Sequence, residues 1–174
     1  ELTVPFIGSS ADLNKEFTYT ETDKTYLGYI FGKIDPDGVK IQQFVRGGLH
    51  NSSYEFTLPK MFTSLTITSD HIPTYSLSGC DTIQLITIEC DKVNLVPNSI
   101  TSLKELVIVD IKGTVSEIPS STFSYCTKLQ AVRINDNKIT KIGSKAFSGC
   151  TALLLIPVSD TLETIGVDAF SGCA

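Results

Sequence analysis

Apolar positions recur along this chain on a fixed beat. Anchors at Cys80, Leu103, Cys126, Cys150 and Cys173 stand 23, 23, 24 and 23 residues apart. Three residues after each anchor comes Ile83, Leu106, Leu129 or Leu153; six after comes Ile86, Val109, Val132 or Ile156; eight after comes Ile88, Ile111, Ile134 or Val158. The last two columns are separated by a single residue, so they share one face of a β-strand. Val93, Val115, Ile139 and Leu162 follow, then Val96, Ile118, Ile142 and Ile165 on a return path, and Leu77, Ile100, Phe123, Phe147 and Phe170 each lie three residues before an anchor. A period of roughly 20–30 residues predicts a solenoid, because no single unit can bury its apolar face alone. Stacked units would pair strand on strand, about 4.8 Å apart, and so satisfy their backbone polar groups.

One unit upstream, Phe62, Leu65 and Ile67 repeat the pattern 21 residues before Ile83, Ile86 and Ile88. Before residue 62 the beat breaks. Leu2-Thr3-Val4-Pro5 reads as the end of a strand and Tyr26 to Gly32 as a degenerate return segment, with insertions at 9–24 and 33–55. The predicted organisation is one swollen N-terminal unit over 1–61, followed by regular repeats over 62–174. A small separate cap over 1–61 would have the same composition.

The positions between the buried columns face outward. Seven residues past the anchor stand Thr66, Thr87, Asp110, Arg133 and Pro157, a mixed polar column. Five past it stand Ser64, Leu85, Ile108, Ala131 and Leu155, an apolar stripe where Ser, Thr or Lys is expected. Such a stripe marks a surface for a partner or a second copy, or is covered by a flanking segment such as 33–55, or reflects strand propensity alone.

The phrase Ile142-Gly143-Ser144-Lys145-Ala146-Phe147-Ser148-Gly149-Cys150, repeated from Ile165-Gly166 to Cys173 and more loosely as Ser121-Thr122-Phe123-Ser124-Tyr125-Cys126, carries a resemblance. Residues 62–174 resemble the leucine-rich repeats of treponemal surface proteins and BspA-like bacterial surface antigens. Leu2 to Gly8 and Leu27 to Gly32 look like a variant unit of that group found in gut Firmicutes. The resemblance is strong over about two-thirds of the chain. The unit at 81–103 departs from it, with Ile100 for Phe and Leu103 for Cys, but keeps both columns apolar. It implies a leucine-rich-repeat solenoid: a β-rich, right-handed open superhelix with one short parallel strand per unit and irregular or 3-10 return segments. It further implies an extracellular or cell-surface protein engaged in adhesion to a host or neighbouring-cell protein.

Composition narrows the function classes. Fourteen Lys and Arg against 19 Asp and Glu give a net charge of −5 over 174 residues, without the basic cluster that nucleic-acid binding needs. No apolar run approaches the length of a membrane span. The chain opens at Glu1 with no signal-peptide pattern, and both ends fall inside the repeat. It therefore reads as a piece of a longer protein or a mature chain with atypical ends.

Four of the five cysteines occupy the anchor column, where Leu103 substitutes. That exchange marks them as small packing hydrophobes. One strained bridge between neighbouring rungs is the alternative, since Cys126 and Cys150 would lie with Cα atoms about 5 Å apart, within bonding range, although with parallel side chains. Cys90, off the column, is expected to be exposed. With no Cys-x-x-Cys and only His50 and His71, no metal site or other cofactor is expected.

No nucleophile elbow, zinc-protease helix or phosphate loop is present. Asp35-Pro36-Asp37-Gly38 lacks the later ligands of a calcium loop and reads as a turn. Arg46-Gly47-Gly48 reads as a flexible loop. The expected function is non-enzymatic recognition through the sheet stripe and through insertion-loop aromatics Tyr19, Tyr26, Phe44 and Tyr54. A structural spacer and a carbohydrate-binding module are the alternatives; the absence of Trp weighs against the second.

Overall fold

The computed structural model describes the backbone of residues 2–4, 39–47 and 50–58, and residues 62–174 apart from 71, 73 and 78. Its strands are β1 (Leu2–Val4), β2 (Val39–Gly47), β3 (His50–Leu58), β4 (Ser64–Ile67), β5 (Leu85–Ile88), β6 (Ile108–Ile118), β7 (Ala131–Ile142) and β8 (Thr164–Ile165). Six of these form one parallel sheet in the order β1-β4-β5-β6-β7-β8, while β2 and β3 pair as an antiparallel hairpin. No described residue is helical. The protein is a parallel-strand solenoid of leucine-rich-repeat type.

The register follows the apolar columns. Leu65, Ile86, Val109 and Val132 are cross-strand partners in turn, as are Ile67, Ile88, Ile111 and Ile134. The first row is fully buried, and in the second only Ile134 is partly open. Behind them Leu77, Ile100, Phe123 and Phe147 are completely buried on the return path. The phenylalanines stack from coil to coil. Phe123 and Phe147 have ring centroids 5.2 Å apart, and Phe147 and Phe170 5.4 Å apart and nearly parallel.

The return path has its own main-chain ladder. Each coil places two residues in the left-handed region, five and one before the anchor: Tyr75 and Gly79, Asn98 and Ser102, Ser121 and Tyr125, Lys145 and Gly149, Asp168 and Gly172. Between them the chain closes single i to i+3 turns, such as Cys126 N to Phe123 O at 3.2 Å. Alternate N–H groups are thereby aimed at the next coil. Phe123 N donates to Ala146 O at 2.9 Å, Tyr125 N to Ser148 O at 2.7 Å and Gly149 N to Ser171 O at 2.8 Å. The return segments are thus runs of turns rather than 3-10 helix.

The anchor cysteines are free thiols. Cys126 Sγ donates to Ile100 O, Cys150 Sγ to Phe123 O and Cys173 Sγ to Phe147 O, at 3.1, 3.1 and 3.2 Å. Each thiol therefore fills an apolar slot and also satisfies a carbonyl of the preceding coil, which explains why the column takes Cys more often than Leu. Cys90 departs from expectation. It is half-buried against the core, with Sγ 2.9 Å from Lys92 O.

Burial pushes the Cys126 thiol up to about 12 and raises Cys80 further above its ordinary value of 9.0. The unfolded chain then releases these protons before the folded one does. The contribution of each thiol is thus fully present below pH 9 and is lost as pH climbs toward the folded value. Stability should stay level to about pH 8, then fall by about 1.4 kcal/mol per pH unit for each of these two thiols. Urea midpoints measured from pH 7 to pH 11 check this. In Cys126→Ala the alkaline slope should be shallower, whatever the change in absolute stability.

β6 and β7 run much longer than the short strands the columns predict. They continue round a corner into the return path through register shifts between Ile111 and Thr114 and between Val115 and Glu117. The last coil departs the other way. Only Leu155 bridges to Ala131, Pro157 turns inward and is buried, and Val158 is 55% exposed. Pro157 cannot donate to a ladder, and Val158 N turns back onto Ile156 O at 2.9 Å, which reverses the expected facing.

Candidate interaction surface

The outward face of the sheet is built from strand positions that alternate with the core. β4 contributes Ser64, β5 Leu85 and Thr87, β6 Ile108 and Asp110, and β7 Ala131 and Arg133, with Leu155 on the bridge beyond. Cross-strand register brings the five-past column together as Ser64, Leu85, Ile108, Ala131 and Leu155, and sets Thr66, Thr87, Asp110 and Arg133 beside it. Both rows exist over β4 to β7 as the sequence spacing predicts, but the seven-past row ends at Arg133, since Pro157 turns inward, and exposure is uneven.

Besides Pro157, two positions assigned to the open face are buried. Thr66 is 6% exposed and Ala131 7%. Both side chains are short, and each lies between strands on either side: Thr66 between Thr3 and Thr87, Ala131 between Ile108 and Leu155. Ser64, Leu85 and Ile108 are half-buried, and Leu155 is 52% exposed. The stripe is therefore a low apolar row with a notch at Ala131. Val107 and the exposed Leu154 widen it on one side.

Charge around the row is mostly neutralised locally. Lys112 Nζ donates to Asp110 Oδ2 on the same strand. Lys128 reaches back one coil to Glu105 at 2.7 Å. Asp136 accepts from Lys138 and from Thr114 Oγ1 across the strands, and those two bonds hold its carboxyl below the usual range. Arg133 is exposed and enters none of these pairs. A low apolar row beside one open guanidinium can bury area against a partner and fix its orientation with a charged hydrogen bond.

Of the insertion-loop aromatics, Tyr19 and Tyr26 lie outside the described residues, as does the 9–24 insertion. Phe44 and Tyr54 fall in β2 and β3, whose register pairs Phe44 with Ser53 and Gln43 with Tyr54. Much of the 33–55 segment is therefore hairpin strand rather than loop. Arg46 and Gly47 close β2 and are paired with Asn51 and His50.

Among the described residues, no group of three or more His, Cys, Asp or Glu is placed to hold a metal ion, and no helix is long and apolar enough to cross a membrane. The buried thiols, held protonated, are poor nucleophiles. Three exposed large side chains are not singled out by the apolar columns: Leu154, Val167 and Tyr125, the last 62% exposed. The signal of Tyr125 in the sequence is a Tyr where the other units have Gly79, Ser102, Gly149 and Gly172.

A family model described as a BspA type leucine rich repeat region matches residues 51–174 in 6 copies. Neither a curated protein nor a solved structure matches the chain.

Proposed function

The chain belongs to the BspA-type leucine-rich repeat family, a non-catalytic repeat family, and from that premise we propose that it is a non-enzymatic adhesion segment of a bacterial cell-surface or secreted protein. The sheet face meets a protein of a host or neighbouring cell. The observation that carries this reading is the apolar row Leu85, Ile108 and Leu155, presented on hydrogen-bonded parallel strands next to the open Arg133. A rigid, partly desolvated apolar row loses little conformational freedom on binding, so modest buried area becomes affinity. Thr87 and Asp110 supply the polar rim.

Leu85→Ser with Ile108→Ser tests it, because both side chains are half-buried and the fold tolerates polar residues in this column at Ser64. Binding to immobilised extracellular-matrix proteins should fall at least tenfold, with the far-ultraviolet spectrum unchanged. Light scattering of the same pair reports self-association through this face. Unchanged binding together with an unchanged oligomeric state would remove the face from consideration. Absence of binding by the unsubstituted chain to any matrix protein would favour the structural spacer.

A further inference from the structure

On the outer face of the sheet, one small residue and one open cation stand two positions apart on β7. From Leu85 onward the five-past column is bulky at Leu85, Ile108 and Leu155 and small only at Ala131. Ala131 is 7% exposed, the floor of a notch between Ile108 and Leu155. Leu154, 83% exposed, stands at one end of it: the N–H groups of Leu154 and Leu155 share the carbonyl of Gln130, at 2.9 and 3.0 Å. The notch is therefore apolar on both flanks and at that end.

Arg133 lies at the other end, two residues along the strand and so on the same face. The acidic residue directly across the register from it is Asp110, but that carboxylate is taken by Lys112 Nζ on its own strand. On the opposite flank Pro157 turns inward, so the seven-past row places no side chain beside the guanidinium there. Lys128 and Lys138 hold Glu105 and Asp136 in the same way that Lys112 holds Asp110. Around this row each lysine that could compete for an incoming acid is thus occupied, while Arg133 is exposed and unpaired. In a chain of net charge −5, a cation kept clear of its nearest carboxylate is complementary to an acid from outside.

Resting on the sheet-face reading, we propose that this face takes an extended acidic segment of the partner protein. An apolar side chain of that segment fills the Ala131 notch, and an Asp or Glu two residues along meets Arg133. Residues i and i+2 of an extended chain point the same way, about 6.8 Å apart, the spacing at which β7 presents its own alternate residues. Both contacts are therefore made at once without bending the segment. The planar guanidinium receives a carboxylate through two parallel hydrogen bonds, which fixes the direction of the bound chain. Ile108 and Leu155 shield the apolar contact from water.

Heteronuclear NMR titration of the whole chain with the acetylated, amidated peptide Thr-Leu-Thr-Glu-Thr tests the proposal. The Ala131 amide and the Arg133 Nε–H should shift saturably, with a Kd of about 1 mM. Replacing the peptide Glu by Gln, or reordering it to Thr-Leu-Glu-Thr-Thr so that the two side chains face opposite ways, should weaken binding about fivefold. Arg133→Gln should weaken it as much. Ala131→Leu should do so by filling the notch, and the fold should accept it because Leu85 and Leu155 occupy the same column. No saturable shift up to about 5 mM peptide, equal affinity for the Gln peptide, or unchanged affinity in Arg133→Gln would overturn the assignment. So would shifts at these residues that grow with protein concentration without peptide, which would make a second copy the occupant. Should the peptide fail while Leu85→Ser with Ile108→Ser still lowers matrix binding, the face stands as a binding surface and only the acidic segment falls.

Discussion

Phe147→Ala should destabilise the protein by about 3–5 kcal/mol, the range for truncating a buried aromatic side chain. Phe147 is completely buried and stacks on Phe123 on one side and Phe170 on the other. Its loss removes two ring contacts and leaves a cavity between coils that cannot collapse. The main-chain bonds Phe147 N to Ala169 O at 2.8 Å and Phe123 N to Ala146 O at 2.9 Å hold the coils at fixed spacing. In a solenoid the stability is close to a sum of coil and nearest-neighbour terms, so the damage should be local. Hydrogen exchange should show amides beyond Cys150 losing protection while those of β5 and β6 retain theirs. Phe170→Ala, which removes a partly exposed ring with one stacking neighbour, should lose less than half as much. Equal losses at the two sites would mean that the stack is not what couples the coils.

The same column of phenylalanines shows how far the sequence alone can be read. Every column was visible as a repeat, and strand register followed from it residue by residue, because a one-residue slip would turn a whole buried row to solvent. The thiols were legible for the same reason: a position that accepts Leu103 is a packing position. Exposure on the outer face was less legible. Alternation says which way a side chain points but not how far it projects: Ala131 is too short to clear Ile108 and Leu155, and Thr66 is buried while Thr87 beside it is half-buried. Pro157 broke the alternation through its missing N–H, a local rule that the column pattern overrode too readily. The candidate binding residues were recoverable only in part. Leu85 and Ile108 lie on the face where spacing put them, whereas their degree of exposure depends on neighbours that no apolar pattern encodes.

Gly113→Ala should be among the most damaging single substitutions, with a loss of about 3 kcal/mol or more. A Cβ at 113 would lie 1.8 Å from Cys90 O and 2.9 Å from Asp91 O. Both obstacles are backbone atoms, so no side chain can swing aside, and the coils themselves must part. Parting them breaks Thr114 N to Asp91 O and Val93 N to Thr114 O, each 3.0 Å, which seat the corner where β6 bends from the sheet into the return path. Gly172→Ala is the useful contrast. Its φ of 75° is unfavourable to alanine, but the nearest atom to its Cβ would be Gly149 N at 3.6 Å, ordinary contact. It should lose only about 1 kcal/mol. Gly113 belongs to no repeated column, unlike the Ile-Gly pairs at 142–143 and 165–166. Its importance comes from the preceding coil, whose backbone at Cys90 and Asp91 fills the space of a Cβ just past the last β5–β6 pair, Ile88 with Ile111. Urea midpoints of the two variants decide the matter: comparable losses would mean that the coil separation at Cys90 is soft, and that β6 bends without needing a bare backbone at 113.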